Sequence, residues 1–181
     1  MKPRSLTDAE LLVLGLLAEM PRHGYELEQV IAERGMREWT QIGFSSIYFV
    51  LGKLEKAELV VTRTPSARKA RKAYSITPAG KAALSAQTFE ALREFRPTYS
   101  SVLLGMIHWP TLSRQTALAA LESRKAAVSR EIQRIERVRL ERQPQPDFIE
   151  AIFDFTTGQL AAEKSWIAAT LKYMRAKPWM E

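Results

Sequence analysis

Two short runs, Leu59-Val60-Val61-Thr62 and Ala73-Tyr74-Ser75-Ile76, carry the β-branched and aromatic residues that strands favour, in a chain whose remaining periodicity is helical. The turn-like stretch Thr64-Pro65-Ser66-Ala67 lies between them, so the two runs read as one hairpin. Three helices precede it. Thr7-x-x-Glu10 is a capping box ahead of Leu11, Leu12, Leu14 and Leu16, and the stretch from Met20 to Gly24 ends that helix. Leu27, Val30 and Ile31 mark one face of a second helix over about residues 24–34, with Gly35 as its stop. Ser45 is placed to cap a third helix running to about Ala57, in which Ile47, Leu51 and Leu54 form the buried stripe. After the hairpin, Thr77-Pro78 supplies a cap followed by proline at the first helical position, so a fourth helix starts there.

The hairpin is also where the charge pattern breaks. The 181 residues hold 27 Lys+Arg against 20 Asp+Glu, a net of +7, and elsewhere the two signs alternate as on an ordinary solvated helix. From Leu59 to Phe89 there is no acid, while Arg63, Arg68, Lys69, Arg71, Lys72 and Lys81 fall inside that window. A cation-only loop suits a polyanion, because each neutralised phosphate releases counterions and each nearby acid opposes that release. Three helices and then a basic hairpin describe a winged helix-turn-helix. Its third helix enters the major groove and its hairpin tip reaches along the phosphates or into a minor groove.

Composition removes rival readings. Cysteine is absent and only two histidines occur, His23 and His108. Disulfides, thiolate nucleophiles and sulfur-based zinc sites are therefore excluded, and a Ser-His-Asp triad is poorly supplied. With no Gly-rich phosphate loop and no metal-ligand cluster in the sequence, neither enzymatic activity nor a cofactor is expected. No apolar run approaches the ~18 residues a membrane span needs, so the expectation is a cytoplasmic protein without a membrane partner.

Three blocks resemble the PadR-type transcriptional regulators. Leu14-Gly15-Leu16-Leu17-Ala18 followed by His23-Gly24-Tyr25-Glu26-Leu27 is similar to the opening pattern of that family. Ser45-Ser46-Ile47-Tyr48, with Leu54-Glu55 and Leu59-Val60, resembles its recognition helix and exit. Arg71-Lys72-Ala73-Tyr74-Ser75-Ile76-Thr77-Pro78-Ala79-Gly80 resembles its wing strand and the helix that follows. Phe49 stands where the family usually has proline, Gly52 where a longer side chain is common, and Ala57-Glu58 where an acidic-Gly stop is usual. The resemblance implies a homodimeric repressor or activator that binds a near-palindromic operator and is often released by a small molecule.

The expected organisation is a winged-helix DNA-binding domain over 1–87 and a helical dimerisation and effector-binding domain over 88–181. Candidate DNA contacts are Tyr25, Ser45, Ser46, Tyr48, Phe49 and Lys53, with Arg68, Lys69, Arg71 and Lys72 on the wing. Tyr25 and Tyr48 have a second reading, in which their rings pack on the core. Two long apolar seams, on a helix capped by Ser113 and on one opened by Asp147-x-x-Glu150, supply the dimerisation candidates. These are Leu118, Leu121, Val128, Ile132, Ile135, Phe155, Leu160 and Leu171. Trp109 and Trp166 are candidates for stacking a flat aromatic effector, against the alternative that they pack in a core or a dimer interface. The expected partners are double-stranded DNA, a second copy of the chain and a small aromatic ligand. The competing function is a winged-helix protein-interaction module without sequence-specific DNA binding, since fold does not fix function.

Overall fold

The computed structural model describes residues 5–38, 44–63 and 72–177, without the side chains of 44–46 and 63. It divides into two compact units, Met1–Pro97 and Thr98–Glu181. The division falls beyond the expected 87–88 boundary because a helix runs straight through that point.

In the first unit α1 spans Asp8–Glu19, β1 Arg22–His23, α2 Gly24–Glu33, α3 Phe44–Lys56, β2 Val60–Arg63, β3 Ala73–Ile76 and α4 Pro78–Arg93. The capping box forms as expected: the Glu10 N–H donates to Thr7 Oγ1 (3.3 Å) and the Thr7 N–H donates to Glu10 Oε2 (2.8 Å). Gly35 takes a positive φ of 62° and ends α2, a conformation that glycine adopts without steric cost. Val13, Leu14, Leu16 and Leu17 of α1 meet Leu27 and Ile31 of α2 and Ile47, Val50, Leu51 and Leu54 of α3 in one core. Each fully buried leucine or isoleucine there contributes roughly 1.5–3 kcal/mol by leaving water. The expected stripe of α3 is therefore its buried face, with Val50 added.

Two local features differ from expectation. Helix α3 begins at Phe44, which places Ser45 in its first turn instead of at the cap. The sheet has three strands in the order β1-β3-β2, all antiparallel. The extra strand arises because Arg22 folds back on α1. Its buried guanidinium donates to the Leu16 carbonyl, one of the carbonyls a helix end leaves unpaired, and to Glu19 Oε2 at 2.8 Å. With Arg22 anchored, Arg22 and His23 lie opposite Tyr74 and Ala73. Arg34 also chelates Glu19, at 2.5 and 2.9 Å, and together with Arg22 holds that carboxyl below its ordinary pKa.

The corner between α3 and β2 is built without glycine. Glu58 takes a φ of 59°; its N–H donates to the Glu55 carbonyl (2.9 Å), and the Leu59 N–H donates to that of Leu54 (3.0 Å). This is the Schellman closure of a helix, with a residue that pays about 1 kcal/mol for the left-handed conformation glycine takes freely. Thr77 then straps α4 to the corner. Its hydroxyl donates to the Glu58 carbonyl (2.8 Å) and accepts from the Gly80 N–H (2.9 Å), while its N–H donates to the Leu59 carbonyl (3.0 Å). At the other end of α4, the Gln87 side chain accepts from the Leu6 N–H (3.1 Å), and so α4 belongs to the first unit.

The second unit consists of α5 (Ser101–His108), α6 (Arg114–Glu141) and α7 (Asp147–Ala176). Ser113 caps α6 as expected, accepting from the Thr116 N–H (3.2 Å). At α7 the cap position is Pro146, so Asp147 is the first helical residue and not the cap, and the Glu150 carboxylate is instead taken up by Arg139 (2.7 Å) and Gln143 (2.6 Å). The two long helices pair with each other. Ala117, Leu121, Val128, Ile167, Leu171 and Met174 are buried together, with Leu118, Ile132 and Leu160 partly covered against them, and Ile135 is buried as well. Leu121, Val128, Ile135 and Leu171, expected at a dimer seam, are thus covered within their own chain. Phe155, also named for dimerisation, is 67% exposed and lies off the α6–α7 seam, whereas Phe153 is buried. Two residues along a helix turn the side chain by about 200°, so only one of the pair faces α6.

Candidate nucleic-acid interface

The outward face of α3 carries Tyr48, Phe49, Gly52, Lys53 and Lys56, all exposed. Their positions follow from the buried stripe: once Ile47, Val50, Leu51 and Leu54 are committed to the core, helical geometry leaves these residues opposite. Tyr48 (55% exposed) and Phe49 (64%) leave more than half of their surfaces in water. The Lys53 ammonium lies 4.6 Å from the centroid of the Phe49 ring. Glu55, the acid within α3, is turned towards the sheet, where its Oε1 accepts from the Thr62 hydroxyl (2.7 Å).

Beside α3, a depression is lined by His23, Gly24, Tyr25, Tyr48, Lys72 and Tyr74. The start of α2 and the base of the wing meet there. His23 Nδ1 donates to the Lys72 carbonyl (3.0 Å), which binds β1 to the first residue described on the wing's return strand. The His23 ring stacks on Tyr25, with centroids 5.8 Å apart and planes 10° from parallel. Gly24 runs beneath the Tyr48 ring: a Cβ at that position would lie 2.6 Å from Cε1 and 3.0 Å from Cζ. Burial, with Glu55 and Tyr48 nearby, raises the Tyr74 hydroxyl above its ordinary pKa. Among the described residues Lys53, Lys56 and Lys72 enter no ion pair, whereas Arg124, Arg139 and Arg175 of the second unit are each matched with a carboxylate.

The structure therefore brings Tyr25, Tyr48, Phe49, Lys53 and Lys72 onto one surface of the first unit. Arg68, Lys69 and Arg71, and the side chains of Ser45 and Ser46, lie outside the described residues. His23, Gly24, Lys56 and Tyr74 join the surface without having been singled out. For His23 and Gly24 the signal was present in the His23-Gly24-Tyr25 block. In the second unit, Trp109 packs partly buried against the core and Trp166 is 37% exposed on α7. Among the described residues, no helix is long and apolar enough to cross a membrane.

Residues 13–86 match the model of the transcriptional regulator PadR-like family. The match lies within the N-terminal unit. The matched segment runs from the middle of α1 to within α4 and so takes in every element of the surface just described. No curated protein sequence matches the chain. Among solved structures, PadR from Bacillus subtilis in complex with operator DNA superposes with a TM-score of 0.71 at 20% identity, covering 91% of this chain and 98% of that one. The same B. subtilis protein in complex with p-coumaric acid gives 0.74 at 20% identity, covering 92% and 98%. The PadR-like regulator BC1756 from Bacillus cereus gives 0.67 at 19%, covering 94% and 100%. The likeness is one of fold, and it extends from the PadR-like winged helix through the helical second unit.

Proposed function

We propose that this chain is a DNA-binding regulator of transcription, acting in the cytoplasm as a homodimeric repressor of a near-palindromic operator, with no catalytic role. The observation that carries this reading is the union, on one surface, of an α3 face free of acids and the cationic base of the wing. Helix α3 enters the major groove with Tyr48, Phe49 and Lys53 towards the base edges. Ser45 and Ser46 lie in its first turn, where phosphates approach. Lys72, with Arg68, Lys69 and Arg71 ahead of it, runs along the backbone. Tyr25, at the start of α2, reaches a phosphate beside that groove. The B. subtilis PadR structure with operator DNA supports this assignment.

The second unit supplies the dimer and the effector site in this reading. Because α6 and α7 cover their own seam, the contact between copies falls on the apolar side chains left outside it, Phe155 among them, with Leu103, Leu104 and Ile107 of α5 at 52–68% exposure. Leu118, Ile132 and Leu160 support that contact from partly covered positions. A small aromatic effector stacks at Trp109 and Trp166 and releases the DNA; the B. subtilis complex with p-coumaric acid supports the ligand class.

Selection of bound fragments from random DNA tests the proposal. The expected product is two inverted half-sites about one helical turn, ~10 base pairs, or a multiple of it apart. Enrichment of a lone half-site would remove the dimer, and no enrichment would remove the regulator.

A further inference from the structure

Three neighbouring positions on α3 lack an explanation within the fold. Phe49 leaves 64% of its surface in water, on a face that no described residue covers. Gly52, one turn further on, costs the helix about 1 kcal/mol relative to alanine. Nothing lies within 4 Å of where its Cβ would be, so the unit itself does not require the missing side chain. Lys53 holds its ammonium 4.6 Å from the Phe49 ring centroid instead of meeting a carboxylate. Residues 49, 52 and 53 are one turn apart on the same face. Together they make an apolar ring with an open gap on one side and a cation against it.

The occupant that suits this arrangement presents an apolar group at the floor of a negatively charged cleft. In the major groove only one base does so: thymine, through its C5-methyl group. We propose that Phe49 is a specificity-determining residue that reads a thymine methyl, with Gly52 leaving room for the base edge to close on the ring. Lys53 turns from the ring to a neighbouring phosphate or guanine as the duplex arrives. This assignment rests on the reading of α3 as the helix that enters the groove, and it adds which base the helix prefers and by what contact.

The test uses the full chain and a duplex recovered by selection from random DNA. Each thymine of the site is replaced in turn by deoxyuridine, which removes one methyl and leaves base pairing unchanged, and affinity is read by fluorescence anisotropy. A buried methyl is worth about a threefold to fivefold change in affinity. The expected result is a loss of that size at one thymine of each half-site for the wild-type chain. Phe49→Ala should bind the thymine and uracil duplexes alike, and Phe49→Leu should restore part of the difference. Far-UV circular dichroism confirms that the exposed substitutions leave the helices intact. Equal binding of thymine and uracil at every position would overturn the inference, as would a difference that survives in Phe49→Ala; in either case the DNA-binding reading stands. Failure of the wild-type chain to bind any duplex would remove both.

Discussion

Replacing Gly80 by alanine is expected to lower the thermal midpoint of the winged helix by several degrees. In an ordinary helix the same change stabilises by about 1 kcal/mol, because glycine has more backbone freedom to lose. Here the added Cβ would lie 2.1 Å from the Leu59 carbonyl oxygen and 2.8 Å from Ile76 Cγ1. The oxygen cannot swing aside. It accepts from both the N–H and the hydroxyl of Thr77, and it follows the left-handed turn at Glu58. Overpacking of this kind costs about 1–3 kcal/mol and sometimes more, so it outweighs the helix-propensity gain. For a unit of this size each kcal/mol moves the midpoint by roughly 4–8 °C. Gly52→Ala, with open space around its Cβ, has the opposite sign and should raise the midpoint by a few degrees. Circular dichroism melts of the two variants check the pair, and an unchanged midpoint for Gly80→Ala would mean that α4 is not seated on the Leu59 corner.

Joint replacement of Arg68, Lys69, Arg71 and Lys72 by alanine is expected to weaken DNA binding roughly a thousandfold at 0.1 M salt. Four phosphate contacts contribute about 3.6 to the slope of log K against log salt, so the slope should flatten by that amount. The loss should be nearly uniform across sequences, since phosphates carry no base identity. Stability should hardly change: Lys72 is exposed, and its tie to His23 runs through the backbone carbonyl, which alanine retains. Titrations of the variant on the selected site and on an unrelated duplex separate the two effects. Unchanged affinity would leave the wing without a role in binding.

The parts of this fold that were legible in the sequence are those whose cause is local. Thr77-Pro78 announces a helix start because the cap uses its own hydroxyl and proline has no N–H to lose. Gly35 announces a stop because the conformation it adopts is costly for other residues. The stripe of Ile47, Leu51 and Leu54 was readable because burial repeats with the helix. Strand β1 was not readable: two residues carry no alternation, and Arg22-His23 becomes a strand only when α1 and β3 are in place. The turn at Glu58 was obscured for the converse reason, since a residue without glycine's freedom is held there by the Leu54 and Thr77 bonds around it.

The interface followed the same division. Periodicity identified the outward face of α3 but could not show that Gly24 passes beneath the Tyr48 ring, or that His23 joins β1 to the wing. In the second unit it revealed two apolar seams without revealing what covers them. The α6–α7 pairing covers Leu121, Val128, Ile135 and Leu171, and leaves Phe155 outside because the α7 face follows Phe153, Leu160 and Ile167. A hydrophobic stripe specifies a direction and not a partner.

Everything assigned to the first unit depends on α3 and the wing gripping one duplex through its phosphates. Anisotropy titration of the intact chain on the selected site, repeated across a series of salt concentrations, measures this most directly. Neutralisation of ~6–8 phosphates predicts that log K falls with log salt at a slope of roughly −5 to −7. A flat salt response, or no saturable binding at low salt, would contradict it.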